Sequence, residues 1–419
     1  MTTRGNEQSW VLDLGLRSGG FDALHPEGAG AFHNLGYDAG DFDRVFSRVR
    51  SAPMQPKAFA RVAAETRERA EHYEKEGFGA TAYAFYLRSA LLWSRAQYAY
   101  FADDARKAML RERCNAAVAK LSELGGGRIE RVVLDFEGQH LFALLHLPAG
   151  QPRNAPAVIL GPGMDMTKED FLLAGQRHYA ERGYVALAVD MPGEGESLSH
   201  GLKATLTNPE RAVSRFVDFL AARPEVDAGR IGFFGCSMST YWGMRAAAHE
   251  PRLRAVAGFM GVYGDFETIF NRAQPNFKTN FMYMSGYTDE EAFDADLGTR
   301  MNLWELAGRI ACPVLMGIGE FDELTRLEEA LALYELIRAP KEIRVYEDQF
   351  HPLGGVANEM YTYGAEWLRR ALAGEFDTGR DARYYVHHDG GVTAGSADPV
   401  WWQGARPAEI AERVRAHQP

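Results

Sequence analysis

From residue 157 onward, short apolar runs alternate with helical stretches, and this alternation restricts the fold of the 419-residue chain more than any other feature. Ala157–Leu160, Val185–Val189, Ile231–Phe234, Ala255–Met260, Pro313–Ile318 and Glu342–Tyr346 read as buried strands. Helical patterns over 170–182, over 211–222, from Met238 and over 327–337 lie between them. A parallel strand reaches its neighbour only by crossing over a face of the sheet, so the pattern predicts an α/β fold: a mostly parallel sheet with helices on both faces. Arg131–Phe136 and His140–Leu147, parted by EGQ, add an antiparallel hairpin and bring the expected count to about eight strands. Ligands on such sheets bind beyond the carboxyl ends of the strands, so the residues just after each strand are the ones to inspect.

Three segments fall outside this pattern. From about Gly40 to Leu124 apolar residues recur at three and four, as in Phe42, Val45, Phe46 and Val49, and the glycines of LGGGR end the helical run. The aromatic stretch Tyr83–Phe101 reads mainly as helix core, with Tyr83, Tyr86, Trp93 and Tyr98 as candidates to reach a ligand pocket. About 50 residues separate the strands ending near Gly261 and starting near Cys312, far more than a simple connection needs. This insertion, about 265–308, carries Phe270, Phe277, Phe281 and Tyr283 and occupies the place of a lid. From Glu375 little regular pattern is evident apart from a helix-like PAEIAERVRA, and Trp401-Trp402 suggests a tail docked on the body. The expected division is 1–128, an N-terminal helical segment; 129–374, the sheet domain with its insertion; and 375–419, the tail.

Charge and composition narrow the partners. Forty-six Lys and Arg against 57 Asp and Glu give a formal net charge of −11, which repels phosphate backbones and anionic lipid, so neither nucleic acid nor membrane is expected. No apolar run approaches a membrane span, the start MTTRGNEQSW lacks the features of a signal peptide, and three scattered cysteines point to a reducing compartment. A cytoplasmic protein is expected, and the apolar helical layer makes a homodimer conceivable.

Chemistry concentrates in Ile231–Thr240, IGFFGCSMST, where an apolar strand runs into Gly235-Cys236-Ser237-Met238-Ser239 and then a helix. A serine on such a turn has its hydroxyl exposed, provided that tiny residues stand two before and two after it. Gly235 meets the first requirement and Ser239 departs from the second by one hydroxymethyl group. Cys236 is expected to point into the sheet, and the alternative for Ser237 is a plain helix cap. A serine hydroxyl needs a base, and the base needs a partner that fixes its tautomer. His351, in QFHPLGG after the last strand, is the candidate base; Asp322, in GEFD, is the candidate acid, with Glu320 and Asp265 as alternatives. Two backbone N–H groups should face the oxyanion: that of Met238, and one from GPGMDMTKED after the strand 157–160, Met164 in preference to Gly163. The same loop lacks the Lys-Ser/Thr ending of a phosphate loop, and no cofactor or metal is expected.

Over about Arg131 to Leu372, GCSMS, VDMPGEGES, GEFD and QFHPLGG resemble the α/β-hydrolase superfamily. With the helical N-terminal segment and GMDMTKED, the layout is similar to the subgroup of the fermentation-respiration switch protein, 2,6-dihydroxypseudooxynicotine hydrolase and fungal polyketide-shortening pigment hydrolases. The resemblance implies an α/β-hydrolase fold with the N-terminal helices forming part of a cap. It also implies Ser237, Asp322 and His351 as catalytic residues and an acyl-serine route that, in several members, cleaves a carbon–carbon bond beside a ketone. The leaving carbon must then be protonated, and Glu267 and Tyr263 are the candidate substrate-binding residues for that role. A carboxylesterase or acyltransferase with the same triad, and a non-catalytic binding protein on the same fold, are the alternatives.

Overall fold

Ten strands form one sheet in the computed structural model, which describes residues 2–23, 26–98, 100–150 and 152–418. They are β1 (Ile129–Phe136), β2 (Gln139–His146), β3 (Ala155–Gly161), β4 (Val185–Asp190), β5 (Val226–Cys236), β6 (Leu253–Phe259), β7 (Val314–Gly319), β8 (Lys341–Tyr346), β9 (Asp381–Val386) and β10 (Val392–Ala394). Their order is β1-β2-β4-β3-β5-β6-β7-β8-β9-β10. From β4 to β9 every pairing is parallel; β1 on β2, β2 on β4 and β9 on β10 are antiparallel.

The central strands are buried on both faces, which is why they read as unbroken apolar runs. Along β5 the pleat sends Ile231 and Phe233 to one face and Phe234 and Cys236 to the other. The first face is covered by helices Asn208–Ala221, Met238–Ala247 and Leu327–Leu336, and by the insertion. The second carries helix Ala357–Leu372 together with the N-terminal helices, whose Val45, Phe59, Leu91 and Leu121 share its core. The N-terminal segment therefore has no core separate from the sheet.

The count of about eight strands is corrected by two. β9 adds in parallel to β8, and a turn at 387–391 returns the chain as β10. Asp381 and Arg383 give this edge a polar look, yet they serve as partners for Tyr334 and Glu335. Tyr384-Tyr385-Val386, followed after two histidines by Asp389-Gly390-Gly391, was the available signal for the hairpin. The tail then docks through buried Trp402 and through Ile410 of helix Ala408–His417. Helices Thr3–Gly19 and Gly28–Asn34 extend the helical segment well before Gly40. Among the described residues no helix is long and apolar enough to cross a membrane.

Candidate active site

At the end of β5 the backbone bends sharply: Ser237 has φ 51° and ψ −116°, left-handed territory that costs a non-glycine residue energy. Close packing holds it there. A Cβ on Gly235 would lie 2.6 Å from the carbonyl carbon and oxygen of Ser239, so the first small position admits no side chain. The second is satisfied in another way. A Cβ on Gly161 of β3 would fall 2.6 Å from the Ser239 Cβ, so the space that Ser239 takes up is space that Gly161 leaves open. The departure from a glycine two residues after Ser237 is thus matched on the neighbouring strand. Cys236 is fully buried, its Sγ 3.8 Å from the Tyr361 hydroxyl beneath the sheet.

The loops after β7 and β8 are zipped together by Phe321 N donating to Gln349 O (2.9 Å) and Glu320 N to Tyr346 O (2.9 Å). This brings Asp322 to His351. The imidazole Nδ1 donates to Asp322 Oδ2 at 2.9 Å, and Nε2 lies 2.8 Å from Ser237 Oγ, placed to accept its proton. Asp322 is itself fixed, because its Oδ1 accepts from the N–H groups of Leu324 and Thr325 at 2.9 and 2.8 Å. His351 is buried, which alone would disfavour its cation; the carboxylates of Asp322, Glu323 and Asp165 outweigh burial and raise its pKa above the ordinary value. The other two acids are engaged elsewhere. Glu320 accepts from the Tyr385 hydroxyl and Trp401 Nε1, and Asp265 Oδ1 accepts from Glu267 N at 3.0 Å at the base of the insertion.

Ser237 and His351 open onto a pocket walled almost wholly by carbon, including Met238, Met260, Val262 and Leu324 around the strand ends. Both flanking segments reach it: Ala31 and Phe32 from helix Gly28–Asn34, Ile269 and Phe277 from the insertion. Met164 lines it as well, and Gly163 sits so near Ser237 that a Cβ there would be 3.3 Å from the serine Cβ. The loop is tied on its other side, Asn280 Nδ2 donating to Met164 O (3.2 Å) and Arg95 Nη1 to Asp165 O (2.6 Å).

Two expected residues are not brought there. Glu267 is exposed, accepting from Asn271 Nδ2 at 2.6 Å, because its neighbours Phe266 and Ile269 take the inward side of that turn. Tyr263 is fully buried among strand carbonyls, its hydroxyl 2.7 Å from Gly258 O and 3.0 Å from Gly317 O, where it knits β6 to β7. Of the aromatic candidates, Tyr98 borders a second cavity that also touches the 164–166 loop. Sequence reasoning missed the buried ions that brace this loop, Lys168 with Asp190 and Glu169, and Arg111 with Glu169. Charged residues within TKED and VDMPGEGES were the visible trace. Among the described residues no group of three His, Cys, Asp or Glu side chains is arranged to hold a metal ion.

Known proteins resemble this chain in sequence and in fold. The alpha/beta hydrolase pydG of Acremonium sp is 27% identical over 296 residues, covering 66% of this chain and 68% of that protein. The 2,6-dihydropseudooxynicotine hydrolase of Paenarthrobacter nicotinovorans is 27% identical over 316 residues, covering 74% and 83%. The crystal structure of a 2,6-dihydroxy-pseudo-oxynicotine hydrolase superposes with a TM-score of 0.74 at 23% identity, covering 84% of this chain and 98% of the other, and so shows the α/β-hydrolase fold. The family described as Esterase FrsA-like matches residues 58–335, more than half of the chain. The protein is a hydrolase of the α/β-hydrolase type and belongs to the FrsA-like esterase family.

Proposed function

We propose that the protein is a serine hydrolase that cleaves an acyl bond, a carbon–carbon bond next to a ketone, in a small aromatic or polyketide-derived substrate. The observation that carries this reading is the 2.8 Å approach of Ser237 Oγ to an imidazole oriented by Asp322. His351 takes the hydroxyl proton as Ser237 Oγ bonds to the carbonyl carbon, and Asp322 stabilises the imidazolium. The oxyanion is met by the N–H groups of Met238 and Met164. When the C–C bond breaks, its electron pair leaves as an enolate or ring carbon, and the proton held by His351 passes to it. Water, deprotonated by His351, then adds to the acyl-serine; Ser237 regains its proton and the acid departs. The carbon-walled pocket fits a neutral, largely apolar ketone.

A second reading, ester hydrolysis by the same residues, is favoured by the description of the matched family as an esterase. Benzoylacetone and p-nitrophenyl acetate separate the two. Cleavage of the diketone to a carboxylic acid and a ketone, abolished in Ser237→Ala, is the expected result. Turnover of the ester alone points to an esterase, and full activity in folded Ser237→Ala overturns both readings.

A further inference from the structure

The second cavity differs in chemistry from the first. It lies between helices Gly79–Tyr98 and Ala105–Leu124, the turn after β4 and the insertion helix Pro275–Ser285. Met164, Asp165 and Met166 line both cavities, so the two adjoin at the loop beside Ser237. Most of the polar groups here already have partners. Arg95 Nη1 pairs with Asp165, Lys107 Nζ donates to Tyr100 O and the Tyr283 hydroxyl at 2.8 Å each, and Asn280 holds Met164 O.

Three lining residues keep unpartnered atoms, the first being Arg95 at its Nε. Gln97 and Glu194 are 3% and 2% exposed, yet Nε2 and Oε1 of Gln97 and Oε1 of Glu194 have no hydrogen-bond partner among the described residues. Buried polar atoms are nearly always satisfied, so atoms left over at a cavity wall mark where a ligand, or water in its place, completes the bonding. Glu194 Oε2 accepts from Met191 N at 3.1 Å, and burial holds the carboxyl well above the usual carboxylate range, which favours its protonated form, able to donate. Gln97 leaves a donor and an acceptor open, Arg95 Nε a further donor, and Glu194 Oε1 completes the set. A ligand hydroxyl, which both gives and takes a hydrogen bond, matches them.

We propose that this cavity binds the oxygen-bearing end of the substrate, a phenol hydroxyl or an enolised ketone, through Gln97 and Glu194, while the carbonyl under attack lies on Ser237 in the adjoining pocket. The proposal rests on the hydrolase reading of Ser237 and specifies where that substrate carries its polar groups. A site built to bond a hydroxyl discriminates against the analogue lacking it, because its own buried groups are then left unpaired.

The test compares kcat/KM for benzoylacetone with that for its meta- and para-hydroxy derivatives. Ser237-dependent cleavage of benzoylacetone or of one of these derivatives by the wild-type protein is established first; its absence defeats the carbon–carbon hydrolase reading itself. With that activity present, a preference of about tenfold or more for a hydroxylated diketone is expected. The preference should disappear, through KM, in Gln97→Met and Glu194→Met, and persist in Glu194→Gln, which keeps a neutral donor and acceptor. A wild-type ratio near one, or a ratio kept in either folded methionine variant, overturns the proposal and leaves a water-filled cavity. If those variants do not fold, p-hydroxyacetophenone located crystallographically in the wild-type protein decides: its hydroxyl on Gln97 supports the subsite, and any other position overturns it.

Discussion

Lys168 and Asp190 meet in the interior, Nζ 2.8 Å from Oδ2 with neither side chain exposed, and the pair fastens the loop after β3 to the end of β4. Asp190 also accepts from the N–H of Lys168 (2.8 Å) and of Glu196 (2.7 Å), so one carboxylate ties both loops down. Removing the cation leaves Asp190 and Glu169 buried with a partner missing. Lys168→Met should cost about 3–5 kcal/mol of stability, read by urea unfolding. Because this loop carries Met164, the variant should also lose kcat. Unchanged stability would assign the bracing to other contacts.

The elbow makes a pairwise prediction. Gly161→Ala should destabilise by about 1–3 kcal/mol, since the new Cβ meets Ser239. Adding Ser239→Gly should recover part of that loss, limited by Phe233 Cζ, 2.7 Å from the same Cβ position. Additive losses in the double-mutant cycle would show that the two residues do not share this space.

The raised pKa of His351 sets the pH profile. The neutral imidazole is the working base, so kcat/KM should rise with pH through a midpoint above the ordinary histidine value of 6.5. In Asp322→Asn burial is opposed by fewer carboxylates, and the midpoint should move down as the rate falls by several orders of magnitude. The linked stability has the opposite sense. Protonated His351 favours the folded state fully below 6.5, and that contribution fades as pH rises through the folded value. A midpoint below 6.5 in the wild type would contradict the assigned field of Asp322.

Helix Gly28–Asn34 lends Ala31 to the pocket, which ties the N-terminal segment to substrate selection. Ala31→Phe should raise KM for benzoylacetone by about tenfold or more, as a bulky ring occupies space that the ligand needs, with a smaller effect on p-nitrophenyl acetate. Equal effects on both substrates would place Ala31 outside the acyl and leaving-group sites.

How far the sequence carried this account follows from the range of the interactions involved. β5 and its turn were legible because a buried strand, a small residue and a helix start are adjacent in the chain, and Asp322 and His351 because each follows a strand directly. Ser239 looked like a weakness since its compensation, Gly161, lies 78 residues away on another strand. β9 was obscured by Asp381 and Arg383, edge charges whose partners come from helix Leu327–Leu336. Glu267 and Tyr263 were chosen by distance from a strand end, but facing is set by how the insertion folds, which no local pattern fixes. Gln97 was hidden in an aromatic helix that otherwise reads as core, and nothing local shows that its amide lacks a partner.

The most direct measurement is the reaction of the folded protein with a fluorophosphonate, followed by peptide mass mapping. The account predicts one adduct, on Ser237, absent in Ser237→Ala and strongly slowed in His351→Ala. An unmodified Ser237 in active, folded protein, or an adduct on another residue, would contradict it.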